Sequence, residues 1–240
     1  MATISIATPD GEITGILEKP TGTGPWPSIV VLHDISGSGR DLQRITSRIA
    51  ADGYVAFAPD LYSRGGRARC ITRVMTNLMA RKGRAVDDIL AARDYLIGLP
   101  DTTSSVGVVG FCMGGGFALL ASTKGFGASA PFYGVLPRQS EQVLEDACPI
   151  VASFGKRDPM LIGGERKLRK TLDANGVEHD IKTYSGVGHS FANQLPMQPI
   201  MRITGFGYSP EVEADAWRRV YAFFEDHLSA DRIPTSREAK

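Results

Sequence analysis

One cysteine of the chain lies in a pattern that suits nucleophilic catalysis. Cys112 stands in the run Gly110-Phe-Cys-Met-Gly114, between a predicted strand over 105–110 and a predicted helix over 114–122. This is the Gly-x-Ser-x-Gly nucleophile elbow with cysteine in place of serine, where the glycines tolerate a strained strand-to-helix turn. The helix N-terminus would also favour the thiolate. The alternative is a small buried cysteine in a tight glycine turn.

A nucleophilic thiol needs a base and a group that orients the base. On a sheet with this elbow, the acid and then the histidine follow the nucleophile along the chain. Asp158 follows the predicted strand over 149–154, although an aspartate before Pro159 could also be a turn or cap residue. His189 follows the last predicted strand, in the run Gly188-His-Ser-Phe. The sequence therefore predicts Cys112, Asp158 and His189 as catalytic residues.

The other three histidines are weaker candidates. His33 ends a predicted strand near the elbow, and we expect core packing, with shaping of the site as the alternative. His179 and His227 are expected at the surface. Because no His or Cys pair has the spacing of metal ligands, the sequence predicts no metal site.

Acyl transfer also needs two backbone N–H groups where negative charge develops. The residue after the nucleophile supplies one such group, which is the amide of Met113. The loop after the first parallel strand, over 33–39, supplies the second, and Ile35 is the predicted donor.

The elements that must position these residues alternate between strands and helices. Continuous apolar runs indicate buried parallel strands, and apolar residues at spacings of three and four indicate helices. A hairpin over 3–19 leads in, and a single domain is expected over 1–230 with a loose tail over 231–240. Short connections favour right-handed crossovers and a mostly parallel α/β sheet covered on both faces. The predicted strands cover 28–33, 54–58, 105–110, 128–133, 149–154 and 179–184, and the predicted helices cover 41–52, 83–99, 114–122, 137–146, 164–175 and 210–228.

Composition excludes several classes of protein. Twenty-seven basic residues balance 26 acidic ones among 240, so the chain lacks the basic excess of nucleic-acid or membrane-surface binders. Three scattered cysteines, Cys70, Cys112 and Cys148, do not form a disulfide framework. The first residues lack the pattern of a signal peptide, and no apolar run has the length of a membrane helix. We therefore expect a cytoplasmic protein.

Six segments of the chain together resemble the dienelactone hydrolase family of α/β-hydrolases. The resemblance implies an α/β-hydrolase fold and a triad of Cys112, His189 and Asp158 that hydrolyses esters or lactones through a thioester. It also implies that no metal or other cofactor takes part. The segments cover 29–37, 58–62, 110–115, 132–134, 155–158 and 188–192, in the order of the family.

The sequence departs from the family pattern around the substrate. Asp34 stands where founding members carry a glutamate that holds the resting thiol, and its tuning of the thiol is an open possibility. Asn193 stands where those enzymes have an arginine that clamps the substrate carboxylate. The basic stretch from Arg64 to Arg73 offers no clear match for a second clamping arginine. We therefore expect a neutral pocket, lined in part by residues 195–208.

Four aromatic residues are predicted as pocket walls, with core packing as the alternative: Tyr62, Phe111, Tyr133 and Phe191. The expected partner is a small-molecule ester or lactone, with no nucleic acid and no membrane, and the chain is expected to be a monomer or homodimer. Two other functions remain open. The site could act on other activated electrophiles such as thioesters or phosphoesters, or Cys112 could serve a binding or redox-sensing protein without turnover.

Overall fold

The computed structural model describes residues 1–196 and 205–229. Within them the chain forms eight strands and seven helices. The strands are β1 (Ala2–Thr8), β2 (Gly11–Glu18), β3 (Trp26–Leu32), β4 (Val55–Pro59), β5 (Thr102–Phe111), β6 (Ala128–Phe132), β7 (Ile150–Gly155) and β8 (His179–Tyr184). The helices are α1 (Arg40–Ala51), α2 (Arg67–Ala80), α3 (Arg84–Ile97), α4 (Met113–Ala121), α5 (Ser140–Val143), α6 (Gly164–Asn175) and α7 (Pro210–Leu228).

All eight strands form one sheet in the order β1-β2-β4-β3-β5-β6-β7-β8. The six strands from β4 to β8 along this order pair in parallel, whereas the β1–β2 hairpin is antiparallel and joins β4 antiparallel. The predicted fold class, a mostly parallel α/β sheet with an N-terminal hairpin, is confirmed. The carboxyl ends of the parallel strands therefore meet at one edge, where loops carry function in open sheets.

Alternate residues of each central strand pack on opposite faces of the sheet. In β3, Ile29 and Val31 pack with α1 and α7, whereas Val30 and Leu32 pack with α2, α3 and α4. A third apolar cluster joins β7 and β8 to α4 and α6. Both faces of the sheet are therefore covered, and this explains why the central strands read as continuous apolar runs.

Helix α2 was not predicted. Its buried residues Cys70, Val74 and Leu78 recur every fourth position, but the stretch from Arg64 to Arg73 was noted only as a possible basic patch. The structure shows that this stretch is no uniform patch, because the Arg64 guanidinium lies 2.8 Å from the Asp88 carboxylate. Arg64 also donates to Thr8 Oγ1 at 2.6 Å, so that it ties the hairpin to the helical layer.

Two further expectations are corrected. The helix predicted over 137–146 is limited to Ser140–Val143. The His227 side chain is only 3% exposed, because its ring stacks on Phe223 at 4.2 Å between centroids and Nδ1 donates to the Phe223 carbonyl. The predicted tail over 231–240 lies outside the described residues.

None of the helices that the structure describes combines the length and the apolar composition needed to cross a membrane.

Candidate active site

Cys112 lies in the sharp turn between β5 and α4. Its backbone has φ 55° and ψ −111°, a strained conformation for a residue other than glycine. The amide of Cys112 donates to the Phe132 carbonyl of β6 at 3.1 Å, which holds the turn against the neighbouring strand. A Cβ on Gly110 would overlap the backbone carbonyl of Gly114, so the elbow requires glycine at that position.

His189 and Asp158 meet behind the elbow as predicted. His189 Nδ1 lies 2.7 Å from Asp158 Oδ2, and both residues are buried. The other carboxylate oxygen, Asp158 Oδ1, accepts the Met160 N–H at 2.8 Å. Because each oxygen has its own donor, the carboxylate cannot rotate without losing a hydrogen bond. Asp158 therefore fixes the orientation of the imidazole.

The backbone of His189 is held by the segment that precedes α7. The His189 N–H donates to the Gly205 carbonyl at 2.7 Å, and the Gly207 N–H donates to the His189 carbonyl at 3.1 Å. The imidazole lies between two aromatic rings, with centroids 4.9 Å from Tyr133 and 5.3 Å from Phe206. Phe206 lies in the segment 195–208 predicted to line the pocket, but no local pattern links it to a histidine 17 positions earlier.

The surroundings of His189 stabilise the protonated ring. Burial by itself lowers the pKa of His189, but the hydrogen bond to Asp158 and the neighbouring Cys112 side chain raise the pKa from 6.5 to about 9. Nε2 has no hydrogen-bond partner among the described groups. The ring therefore faces a carboxylate at Nδ1 and the Cys112 sulfur on its other side. At neutral pH a ring with this pKa carries its second proton.

The two predicted oxyanion donors lie close to each other. The Tyr62 hydroxyl is 3.5 Å from the Ile35 carbonyl and 3.7 Å from Met113 Sδ, so one phenol bridges both residues. A Cβ on Gly114 would lie 2.7 Å from the His33 carbonyl, which shows how closely α4 approaches the loop after β3. Neither the Ile35 nor the Met113 amide has an acceptor among the described residues. Both are therefore available to a ligand.

Asp34 is held by its own loop. Its Oδ1 accepts the Ser36 N–H at 2.7 Å and also the Ser36 hydroxyl, with an especially short contact. The residue is buried, with 7% of its surface exposed. These bonds tie Asp34 to the loop, whereas the sequence left open a role in tuning the thiol.

A cavity of about 420 Å³ opens beside the elbow. Phe111, one of the four aromatic residues predicted as pocket walls, lines this cavity. Tyr62, Tyr133 and Phe191 do not line it and instead have the core packing given as the alternative: Tyr62 packs on the His33 ring at 4.8 Å, while Tyr133 and Phe191 lie fully buried with their ring centroids 5.1 Å apart. The described lining consists of His33, Asp34, Ser36, Gly37, Gly39, Arg40, Asp41, Leu42, Ile45, Phe111, Asn193, Gln194, Leu195 and Pro196. Residues 197–204 of the predicted lining segment lie outside the described residues.

Asn193 belongs to a buried polar network at the base of this cavity. Its Oδ1 accepts a short hydrogen bond from the Tyr133 hydroxyl, and its Nδ2 donates to Asp41 Oδ2 at 2.8 Å. Asp41 in turn accepts from Arg44 Nε at 2.8 Å, and Arg44 pairs with Glu213 of α7 at 2.7 Å. Asn193 therefore connects α7, α1 and the aromatic cluster around His189.

Known proteins are similar to this chain over most of its length. A protein of Aquifex pyrophilus named protein usf is 30% identical over 230 residues, which are 91% of this chain and 95% of that protein. The carboxymethylenebutenolidase of Pseudomonas putida is 29% identical over 201 residues, which are 79% of this chain and 85% of that enzyme.

Solved structures share the fold at lower sequence identity. A dienelactone hydrolase-like promiscuous phosphotriesterase from metagenomic libraries superposes with a TM-score of 0.81 at 22% identity, covering 95% of this chain and 99% of that one. A dienelactone hydrolase from Anabaena variabilis superposes with a TM-score of 0.68 at 18% identity, covering 95% and 98%. The sequence model of the dienelactone hydrolase family matches residues 13–228. The chain therefore belongs to the dienelactone hydrolase family and is a hydrolase with the α/β-hydrolase fold.

Proposed function

We propose that this chain cleaves a carboxylic ester or lactone with Cys112 as nucleophile, His189 as acid and base, and Asp158 as the group that orients His189. The observation that carries the proposal is the 2.7 Å contact between His189 Nδ1 and Asp158 Oδ2, with the other side of the ring facing Cys112. Family membership supports the ester or lactone as the bond cleaved.

In the first half of the reaction, the Cys112 sulfur attacks the substrate carbonyl carbon. The C=O electron pair moves to oxygen, and the amides of Ile35 and Met113 stabilise the resulting oxyanion. When the tetrahedral adduct collapses, the C–O bond breaks and imidazolium Nε2 of His189 gives its proton to the departing alkoxide. The products of this half are an alcohol, or the open hydroxyl end of a lactone, and a thioester on Cys112.

In the second half, water hydrolyses the thioester. Neutral His189 removes a proton from water as the oxygen attacks the thioester carbonyl, and the same two amides hold the second oxyanion. Collapse breaks the C–S bond, which releases the carboxylic acid and restores the thiolate beside the imidazolium. No redox step occurs, and one water is consumed for each bond cleaved.

We propose a neutral acyl group as the preferred substrate. Asn193 supplies a neutral amide where founding members carry a cation, and its amide already binds Tyr133 and Asp41. The described lining of the cavity adds the carboxylates of Asp34 and Asp41 to the single guanidinium of Arg40. Asp41 already pairs with Arg44, so Arg40 is the only cation of the described lining that could pair with a substrate carboxylate. A small-molecule substrate, no nucleic-acid or membrane partner, a monomeric or homodimeric state and a cytoplasmic location remain part of this proposal.

Steady-state hydrolysis of p-nitrophenyl acetate tests the proposal that the chain is an ester hydrolase. We expect many turnovers for each chain, abolished in both Cys112→Ala and His189→Ala but retained in the control Cys148→Ala. A single stoichiometric burst would support a thiol protein without turnover and contradict the proposal. A panel of esters, lactones, thioesters and phosphotriesters, each with and without a carboxylate where the chemistry permits, then identifies the electrophile. A strong preference for the anionic lactones would contradict the neutral acyl group.

A further inference from the structure

His33 is a buried histidine that the proposed reaction does not use. The residue is 1% exposed and directly follows β3, beside the loop that carries Ile35. Both of its ring nitrogens are engaged by backbone groups. Nδ1 lies 2.7 Å from the carbonyl oxygen of Asp34, and Nε2 lies 3.2 Å from the amide nitrogen of Leu61.

These partners determine where the proton of the His33 ring lies. The Leu61 N–H can only donate, so Nε2 must accept and carries no proton. The Asp34 carbonyl can only accept, so Nδ1 must donate and carries the proton. Burial lowers the pKa of His33, against the opposing effects of the Asp34 carbonyl and the Asp60 and Asp34 carboxylates. The ring is therefore neutral, with its single proton on Nδ1.

The hydrogen bond from His33 fixes the orientation of a peptide group. The Asp34 carbonyl and the Ile35 N–H belong to the same planar trans peptide, so they point in opposite directions. The Asp34 carbonyl accepts two donors, His33 Nδ1 at 2.7 Å and the Gly37 N–H at 3.2 Å. Any rotation that turns the Ile35 N–H away from its present direction would break both bonds.

Packing of the Ile35 side chain cannot replace these bonds. The side chain is 44% exposed, so few apolar contacts restrain the residue. Within the described structure, the Tyr62 hydroxyl is the only hydroxyl group that contacts Ile35. It lies 3.5 Å from the Ile35 carbonyl oxygen, which is a long hydrogen bond. That carbonyl belongs to the next peptide. The direction of the Ile35 N–H therefore depends chiefly on the donors to the Asp34 carbonyl, and His33 is the closer of the two.

We infer that His33 is a positioning residue that holds the Ile35 amide toward the oxyanion formed at Cys112. The inference rests on the proposed function, because it assigns a device to the same site. His33 lines the cavity, but both of its ring nitrogens are already bonded to backbone groups. It acts through the Asp34–Ile35 peptide, and its removal leaves the Cys112 and His189 side chains intact.

Two substitutions at His33 separate the two hydrogen bonds. His33→Leu removes both ring nitrogens and keeps a similar volume. His33→Asn places an amide NH₂ at the position of Nδ1, where it can donate to the Asp34 carbonyl, but offers no group at the position of Nε2. Thr171→Val serves as the matched control, because it removes a different buried hydrogen bond, to Ser140 Oγ at 3.2 Å in the layer around α6.

Each variant is measured with two probes of Cys112. A trifluoromethyl ketone analogue of the best ester forms a tetrahedral adduct with the sulfur and needs the oxyanion donors. Dithiodipyridine reacts with the thiolate by disulfide exchange and forms no oxyanion. For His33→Leu we expect ketone affinity and kcat to fall roughly 10- to 100-fold, with KM and the dithiodipyridine rate within about twofold of wild type. We expect His33→Asn to recover most of the loss and Thr171→Val to show none.

Unchanged ketone affinity in His33→Leu would overturn the inference and leave the proposed function standing. A parallel loss of ketone affinity and dithiodipyridine reactivity would also overturn it, since His33 would then act on the nucleophile or on the fold. If the wild-type chain neither turns over esters nor binds the ketone, the proposed function fails, and this inference fails with it. If His33→Leu does not fold, long-range ¹H–¹⁵N spectra of the wild-type protein identify the tautomer of His33. The inference requires the ring proton on Nδ1, and a proton on Nε2 would refute it.

Discussion

Asp158→Asn gives a sharp test of how the site orients His189. Asp158 Oδ1 accepts a hydrogen bond from the Met160 N–H at 2.8 Å. An N–H group only donates, so the atom that faces it must be an acceptor. An asparagine therefore keeps its carbonyl oxygen toward Met160 and turns its NH₂ toward His189 Nδ1. That NH₂ can only donate, so Nδ1 becomes the acceptor and the imidazole proton moves to Nε2. A ring protonated at Nε2 and neutral cannot take a proton from the Cys112 thiol.

The size of the effect follows from the pKa of His189. Its rise from 6.5 to about 9 corresponds to about 3 kcal/mol in favour of the imidazolium, shared between the Asp158 and Cys112 side chains and net of burial. Without the carboxylate, burial dominates and the pKa falls. We expect kcat/KM to decrease roughly 10²- to 10³-fold in Asp158→Asn.

The assay is kcat/KM against pH with an alkyl ester or lactone, because a nitrophenolate leaves without help from an acid. The wild-type profile should fall above pH about 9, where His189 loses the proton that it gives to the leaving group. In Asp158→Asn this limb should move to lower pH. With p-nitrophenyl acetate the loss should be smaller. Asp173→Asn is the control, because Asp173 Oδ1 also faces a histidine, with His179 Nε2 at 3.6 Å. Neither residue of this pair belongs to the proposed site.

Activity within tenfold of wild type in Asp158→Asn, with an unmoved alkaline limb, would refute this reasoning. His189 would then be oriented by its backbone bonds and aromatic neighbours alone. A loss of activity accompanied by unfolding would be recognised from thermal denaturation of the same samples, and Asp158→Glu would then be compared for partial recovery.

Three further outcomes are expected. Gly114→Ala should lower the free energy of unfolding in urea by about 1–3 kcal/mol, because the added methyl overlaps the last carbonyl of β3; an unchanged midpoint would contradict this close approach. Asn193→Leu should cost about 1–3 kcal/mol by the same assay, because it leaves the buried Tyr133 hydroxyl without its acceptor, and a stabilised variant would show that the network is dispensable. Desolvation raises the pKa of the half-buried Cys148 to about 12, so peptide mass spectrometry at pH 8 should find dithiodipyridine on Cys112 long before Cys148; equal labelling would contradict this raised pKa.

Much of the fold could be predicted because the central strands and helices follow local rules. A continuous apolar run predicted a strand over 149–154, which the structure shows as Ile150–Gly155. Helical spacing predicted Gly164–Asn175 and Pro210–Leu228 with the observed bounds. Helix α2 was missed because Arg67, Arg69 and Arg73 fall in its first two turns and its fully buried residues recur only at every fourth position. A narrow apolar stripe is a weak periodic signal unless the surface that it packs on is known.

Parts of the site followed from local backbone chemistry in the same way. The glycines around Cys112 indicate a turn that only small residues permit, and the strand ends indicate where Asp158 and His189 emerge. The partners of other residues could not be read from the sequence. Asp34 binds Ser36 two positions away, whereas the sequence suggested that it could tune the Cys112 thiol. Which partner the carboxylate binds depends on the shape of the loop.

The sequence by itself determined the α/β sheet, the strained cysteine turn and the edge of the sheet at which Cys112, Asp158 and His189 gather, because φ/ψ preferences and periodicity are local properties. Only the tertiary structure decided that Tyr133 and Phe191 are buried and that the segment from Gly205 to Gly207 holds the His189 backbone. It also decided that His33 donates to the peptide of Ile35. These depend on groups brought together across the chain, and a hydrogen bond is specified by the position of both its partners.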